Sequence, residues 1–496
     1  MGAEDKEGIY VINVIGGTIR KLRDDARGAT ISPDSSHILF RSASGKEIWV
    51  MTADGEQAHA VIPAADPNRF YDATWSPDGK RFLYLRYVPE SASFESFMES
   101  RDSNGGNPVP LVSDPDLRDY LWLPDNRIVY SRRETAPDPQ NSNLWEIRID
   151  PQTGQPRSKP RKLTDWSGFV FSILSATADG KQLTFINDHE QSDVYVAELD
   201  KNSTAIKQPL RLTLSDRIDW PGGWTLDSKK FLFSSDRNGR FDLYRQNVAD
   251  RSPEAIGTAP EEKRTPQMSP DGASILYISW PNSTDNTAPA SGRLMRIPVS
   301  GGAPEPIFEV KGYASSAPFG YVERNMGGYP SFQCPSRRGA LCVLAERDRE
   351  KKQVTFTSFD PAQGKKNSPV AVPAPVGTWA LSPDGSRIAT VTFDPKAASI
   401  KIIPLDGSAS RDISIKGWVR LVSVGWTADG NGLFTIQNTS KGSAVLHVNM
   451  NGDAQVLYKS GWDIYLPIAS PDGRSLSFSV VNSNANAWII PKFPDR

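Results

Sequence analysis

Nine stretches of this chain carry a Ser-Pro-Asp-Gly turn or a legible remnant of one. They recur about every 45 residues, and a period of that size filled with short strands restricts the fold to a propeller-type repeat array. The clearest copy is Trp75-Ser76-Pro77-Asp78-Gly79. The others centre on Asp34, Asp125, Asp179, Asp227, Asp271, Asp384, Asp429 and Asp472. A tenth unit is disguised: Ser331-Phe332-Gln333-Cys334-Pro335 falls where a copy is due and replaces the Asp turn with one bounded by Cys334 and Cys342.

One unit shows the grammar of the rest. Ala73-Thr74-Trp75 reads as an inner strand and Ser76-Pro77-Asp78-Gly79 as a turn. Pro presets φ, Asp bonds its own backbone, and Gly accepts positive φ. Arg81–Tyr87 follows as a second, aromatic-rich strand. Glu47-Ile48-Trp49-Val50-Met51 and Ala58-His59-Ala60-Val61-Ile62 show the third and fourth strands. Leu183-Thr184-Phe185 and Val194-Tyr195-Val196 read as another such pair of strands. No long segment has a 3.6-residue apolar period, so almost no helix is expected. A lone blade cannot bury both faces, so blades must stack, and the Trp or Leu before each Pro-Asp is placed to fill the gap between neighbours.

The fold expected is all-β: tandem β-propellers of four-stranded blades, with about ten repeats. Single rings of ten are unusual, so two rings are preferred. Residues 1–215 would form an N-terminal ring incomplete at its start, and 216–496 a six-bladed C-terminal ring. The last unit shows Leu476–Val480 and Ala487–Ile490 but no fourth strand, and Leu210–Leu214 is the candidate to supply it. Gly8–Val14 reads as the third strand of a blade lacking its first two, so a continuation upstream is expected.

Composition excludes several classes. The chain has 496 residues and a net charge of −1, which argues against nucleic-acid partners or a polybasic membrane patch. No run approaches 18 apolar residues, so no membrane insertion by a helix is expected. Thirteen Trp and twenty Phe suffice for a packed interior.

The Ser-Pro-Asp-Gly turns, the Ser235-Asp236-Arg237-Asn238-Gly239 hairpin and Ile48-Trp49-Val50-Met51 resemble TolB-like, WD-repeat-like propellers over the whole chain. Gly8–Val11, Ser142–Ile147, Leu341–Leu344 and Ser483–Trp488 are similar to the C-terminal propeller regions of bacterial serine/threonine protein kinases, regions also found after winged-helix regulators. The resemblance implies a sensing or interaction module with an upstream signalling domain. The chain departs from those relatives in lacking a kinase Gly-rich loop, a His-Arg-Asp, an Asp-Phe-Gly and a recognition helix, so no signalling activity is carried over.

Catalytic signatures are sparse in the chain. There is no Gly-x-Ser-x-Gly elbow. His37, His59, His189 and His447 lie in different units without metal spacing, and no metal or other cofactor is expected. The repeated Asp has two readings, a turn cap or a ring of acids lining a channel; its Gly companion favours the cap. Cys334 and Cys342 flank a tight turn and are either a disulfide, which would favour an extracytoplasmic address, or two buried thiols. Phe94, Phe97, Tyr313, Phe319 and Tyr321 fall in polar insertions and are candidate rim-loop binding residues.

The functional expectation is a non-enzymatic scaffold or sensor that binds a protein or peptide. The alternative is a propeller hydrolase or lyase with acids in its funnel. Convergent carboxylates and histidines would favour the enzyme, and scattered ones the binder.

Overall fold

A computed structural model describes residues 8–13, 15–65, 68–71, 73–87, 96–134, 141–250, 252–257, 261–280, 292–311, 331–348, 353–373, 376–391, 397–439, 441–491 and 493. Among them there are strands and turns but no helix. The strands form antiparallel sheets, seven of which hold four strands each in chain order. The protein is an all-β propeller built from such blades.

The pattern of burial explains why the second strand of each blade is so apolar. Arg81–Tyr87 buries Phe82, Leu83, Tyr84 and Leu85 in succession. Lys230–Ser235 and Gly432–Thr439 do the same. A strand at the middle of a blade is packed on both faces by neighbouring blades, so it reads as a continuous apolar run rather than an alternation. Fourth strands such as Ala454–Ser460 are mostly exposed or half-buried.

Of the described residues, those up to His189 and those from Asn484 onward form one compact unit; those from Glu190 to Ser483 form a second. In the first, Ala26–Ile31 begins a four-stranded sheet and Leu117–Trp122 another. Gly8–Ile12 pairs with Ile19–Asp24 in a two-stranded sheet. Apolar clusters join successive sheets, as where Leu39 and Val50 meet Trp75 and Phe82.

In the second unit the inner strands are Asp219–Trp224, Glu262–Met268, Ser331–Gln333, Trp379–Leu381, Leu421–Trp426 and Asp463–Ala469. Five of these open four-stranded sheets of consecutive strands. The sixth, Asp463–Ala469, pairs with residues 475–481, and the same sheet takes in residues 190–198 and Leu210–Arg211. Each sheet shares an apolar cluster with the next. Leu276 and Phe332 bridge the second and third sheets, and Leu433 and Ala389 the fourth and fifth. Val194 and Val196 of the last sheet pack with Trp224 and Phe231 of the first. Burying a Leu or Phe stabilises by about 1.5–3 kcal/mol, so these clusters dominate the cohesion of the unit.

Two strand readings are corrected. Leu183–Glu198 is one continuous strand of 16 residues, not two, and so is Ser475–Ile490. Neither Ile186–Asp193 nor Val481–Asn486 contains Gly or Pro, so nothing breaks the extended backbone. The third place in the last sheet therefore goes to residues 190–198, while Leu210–Arg211 occupies the fourth.

Candidate functional site

The inner strands of the second unit meet around a cavity of about 300 Å³. Every one of the six contributes to its wall, from Trp220 on the first to Ile468 on the last. Side chains hold the strands together across the gaps. Gln267 Nε2 donates to the Gly222 carbonyl at 2.7 Å, and Gln333 Nε2 to the Trp379 carbonyl at 2.9 Å. Trp426 Nε1 donates to Ala380 O at 3.1 Å, and Trp224 Nε1 to Ile468 O at 3.1 Å. Trp379 Nε1 donates to Ser331 Oγ at 3.0 Å. These indole N–H groups are therefore engaged in structure, while the rings contribute apolar wall.

Backbones approach closely here. A Cβ on Gly425 would overlap the Pro467 carbonyl of the next sheet, so only glycine allows that contact. Thr265 (φ 55°) and Leu466 (φ 53°) line the cavity in the left-handed region where the strand register shifts. Ile173 (φ 51°) makes the same break in the first unit, far from any part of this wall in sequence. The bulge is thus a device of inner-strand geometry rather than a mark of the site.

The wall is electrically quiet. Among the described residues that line it there is no Asp, Glu, His or Lys. Among the described lining residues the ionic side chain is Arg264, whose Nε donates to Glu262 Oε1 at 2.6 Å and whose guanidinium lies 4.0 Å from the Phe241 ring centroid. Among the described residues no group of three or more His, Cys, Asp or Glu is placed to hold a metal ion.

The nine repeated aspartates sit in turns, and none belongs to the cavity wall. The preceding hydroxyl donates to the carboxylate: Ser32 to Asp34 at 2.6 Å, Ser76 to Asp78 at 2.7 Å and Thr177 to Asp179 at 2.6 Å. Thr225 donates to Asp227 at 2.6 Å, Ser269 to Asp271 at 2.5 Å and Ser382 to Asp384 at 2.5 Å. Thr427–Asp429 and Ser470–Asp472 repeat it at 2.5 and 2.6 Å. The carboxylate also accepts a backbone N–H two residues on, as from Lys181 to Asp179 at 3.1 Å. Asp125 lacks the hydroxyl partner, since Leu123 stands there, and accepts from Arg127 Nε at 2.6 Å instead. The Ser32 hydroxyl holds the Asp34 carboxyl down to about 2.

The other sequence candidates do not converge. His37 Nδ1 lies 2.7 Å from Ser36 Oγ, and His59 Nδ1 lies 3.1 Å from Gln57 O. His447 is half-buried against Phe434, and burial lowers its pKa. Of the aromatics expected in rim loops, Phe94, Tyr313, Phe319 and Tyr321 lie outside the described residues. Phe97 is not in a loop: it sits in the strand Ser96–Asp102, half-buried under the Arg86 guanidinium, 4.3 Å from its ring centroid. Cys334 and Cys342 are joined in a disulfide, with Cα atoms 4.2 Å apart. Cys334 lies in the cavity wall and Cys342 in the core behind it.

The cavity residues Trp220, Ser234, Arg264 and Thr265 escaped the sequence reading. The repeat register could have found three of them, because Trp220, Arg264 and Thr265 sit on inner strands ahead of each turn; Ser234, on a second strand opposite Trp220, carries no such signal.

No family model matches the chain. An uncharacterized protein of Agrobacterium fabrum is 26% identical over 256 residues, covering 50% of this chain and 78% of that protein. Among solved structures, TolB from Acinetobacter baumannii aligns at 15% identity over 70% of this chain and 82% of its own, with a TM-score of 0.23. Oligogalacturonate lyase from Vibrio parahaemolyticus aligns at 12% identity over 60% and 84%, with a TM-score of 0.30. None of these similarities bears on what the cavity takes up. No helix among the described residues is long and apolar enough to cross a membrane.

Proposed function

We propose that the protein is a non-enzymatic binding module, a scaffold or sensor whose second unit receives a protein or peptide ligand at the central cavity. One observation carries this reading: the wall assembled from six inner strands is rich in aromatic and aliphatic side chains and, among the described residues, holds no carboxylate and no imidazole. General acid–base or metal-assisted hydrolysis and elimination need such groups at the reacting centre. The acids of the repeat are instead committed to turns. Trp220 and Arg264, both only half-buried at the wall, are the residue types that anchor ligands most often. The Cys334–Cys342 disulfide supports an extracytoplasmic address. A sensory part of a bacterial signalling protein fits the same reading.

Capture of partners on the immobilised full chain, followed by mass spectrometry, tests it. A discrete partner should be recovered by the wild type and by Trp488→Ala, and lost at least tenfold in Trp220→Ala and Arg264→Ala. Turnover of a peptide or glycan library by purified protein would contradict it.

A further inference from the structure

We propose that the two-stranded sheet of the first unit, Gly8–Ile12 with Ile19–Asp24, is half of a blade, and that its open edge receives an extended strand of another polypeptide. The proposal is independent of the cavity reading, since no residue of this edge lines the cavity. The template is the complete sheet that follows it in the chain. Ile19–Asp24 precedes the inner strand Ala26–Ile31, as a fourth strand does, which puts Gly8–Ile12 in third place. Ile9-Tyr10-Val11-Ile12 then corresponds to Ile48-Trp49-Val50-Met51. The pairing agrees: the register to the fourth strand shifts between Ile9 and Tyr10 here, and between Ile48 and Trp49 there. In the complete sheet the other edge of Ile48–Thr52 is taken by His37–Ser42. Among the described residues no strand pairs with the corresponding edge of Gly8–Ile12.

Exposure marks the vacant places. Val50 and Met51 are 4% and 0% exposed, whereas Val11 and Ile12 are 42% and 58% exposed. Ile31 stands where later inner strands carry Trp75 and Trp122, each 8% exposed, and is itself 57% exposed. Ile9 nevertheless packs with Ala26, Ile38 and Phe40, so the half-blade is docked on its neighbour and only its first and second places are open. An open edge is a row of backbone donors and acceptors, and what it takes is another strand. Gly8–Ile12 holds no charge and no Pro, while Ile19–Asp24 carries Arg20, Lys21 and Arg23, which guard the far edge of the sheet. The incoming segment is therefore extended, free of Pro and apolar where it meets Val11 and Ile31. A second copy cannot fill the place with its own Gly8–Ile12. Antiparallel edge-to-edge pairing puts the two-fold axis perpendicular to the sheet, so the neighbouring sheets of both copies would fall on one face and in the same space.

The test titrates the full chain with a fluorescein-labelled synthetic peptide of residues 26–42, the first and second strands of the template, by fluorescence anisotropy. The peptide should bind saturably. Its Leu39→Pro/Phe40→Pro version should bind at least about tenfold more weakly, because one of those two N–H groups faces the edge. In the protein, Val11→Glu should weaken the peptide about tenfold by placing a charge against an apolar strand, with the melting temperature unchanged because the side chain is already exposed. If that variant fails to fold, Ile12→Glu is read in the same way. Amide exchange at Gly8–Ile12 should be fast in the chain alone and slow with the peptide. The proposal is overturned by no saturable binding at millimolar peptide, by equal binding of a scrambled peptide, or by unchanged affinity in Val11→Glu. Slow exchange at Gly8–Ile12 in the chain alone would show that the chain covers its own edge, and a dimer dissolved by Val11→Glu would give the edge to a second copy; either result overturns it too. None of these outcomes touches the cavity reading, whose partner capture depends on Trp220 and Arg264.

Discussion

The Trp224 indole N–H donates to the Ile468 carbonyl at 3.1 Å, joining residues 244 apart in sequence. The contact ties the first sheet of the second unit to its last, and the same junction buries Val194, Val196 and Phe231 around the Trp224 ring. Trp224→Phe should lower stability by about 1 kcal/mol, the net value of a lost hydrogen bond. Trp224→Ala should cost about 3–5 kcal/mol, because it also opens a cavity. Urea unfolding of the two variants separates these terms.

The hydroxyl–carboxylate turn makes a second prediction. Thr427 is buried, donates to Asp429 at 2.5 Å and accepts the Gly432 N–H at 2.9 Å. Thr427→Val keeps the shape, removes the acceptor of the buried Gly432 N–H and leaves Asp429 with its Asn431 donors alone, so a loss of about 1–3 kcal/mol is expected in denaturant melts. Asp125 works without such a hydroxyl, so Leu123→Ser should not stabilise its turn unless Asp125 releases Arg127.

The same turns set an acid limit. Asp34 is held down to about 2 by the Ser32 hydroxyl, and Asp150 to about 2 by backbone N–H groups and Arg157. Asp271, Asp384 and Asp429 are lowered as well. A carboxyl lowered on folding contributes stability that is present above its unfolded value near 4 and lost as pH falls through the folded value. Melting temperature should therefore drop between pH 4 and 2, more shallowly in Asp34→Asn.

Asp193 carries the opposite sign. Burial pushes its carboxyl up to about 6, against the pull of Arg211, whose Nη2 donates at 2.8 Å. A raised carboxyl favours folding most below its unfolded value near 4, and that contribution disappears as pH rises through 6. Asp193→Asn should flatten the stability profile between pH 4 and 7 relative to wild type. A parallel profile would show that the group does not titrate there.

The Cys334–Cys342 disulfide takes the place of the Asp turn in its sheet and closes a loop with a sequence separation of 8. Chain-entropy estimates for so short a loop give about 2–3 kcal/mol. Cys334→Ala/Cys342→Ala should lose about that much in guanidinium melts. Intact mass should show no alkylation of the wild type until a reductant is added.

Much of this architecture is legible in the amino-acid order, because turn chemistry is local. Ser-Pro-Asp-Gly marks the bend between first and second strands, and Trp224 and Trp426 fill gaps between sheets as their place before the turn implies. What is not legible is non-local. Leu183–Glu198 and Ser475–Ile490 look like pairs of strands because each carries two apolar runs, yet with no breaker between the runs they stay extended.

Hydrogen exchange on the full chain, with and without its captured partner, tests the central claim most directly. Binding at the cavity predicts slowed exchange along the inner strands Asp219–Trp224, Glu262–Met268 and Trp379–Leu381. Slowing confined to the first unit, with these strands unchanged, would contradict it.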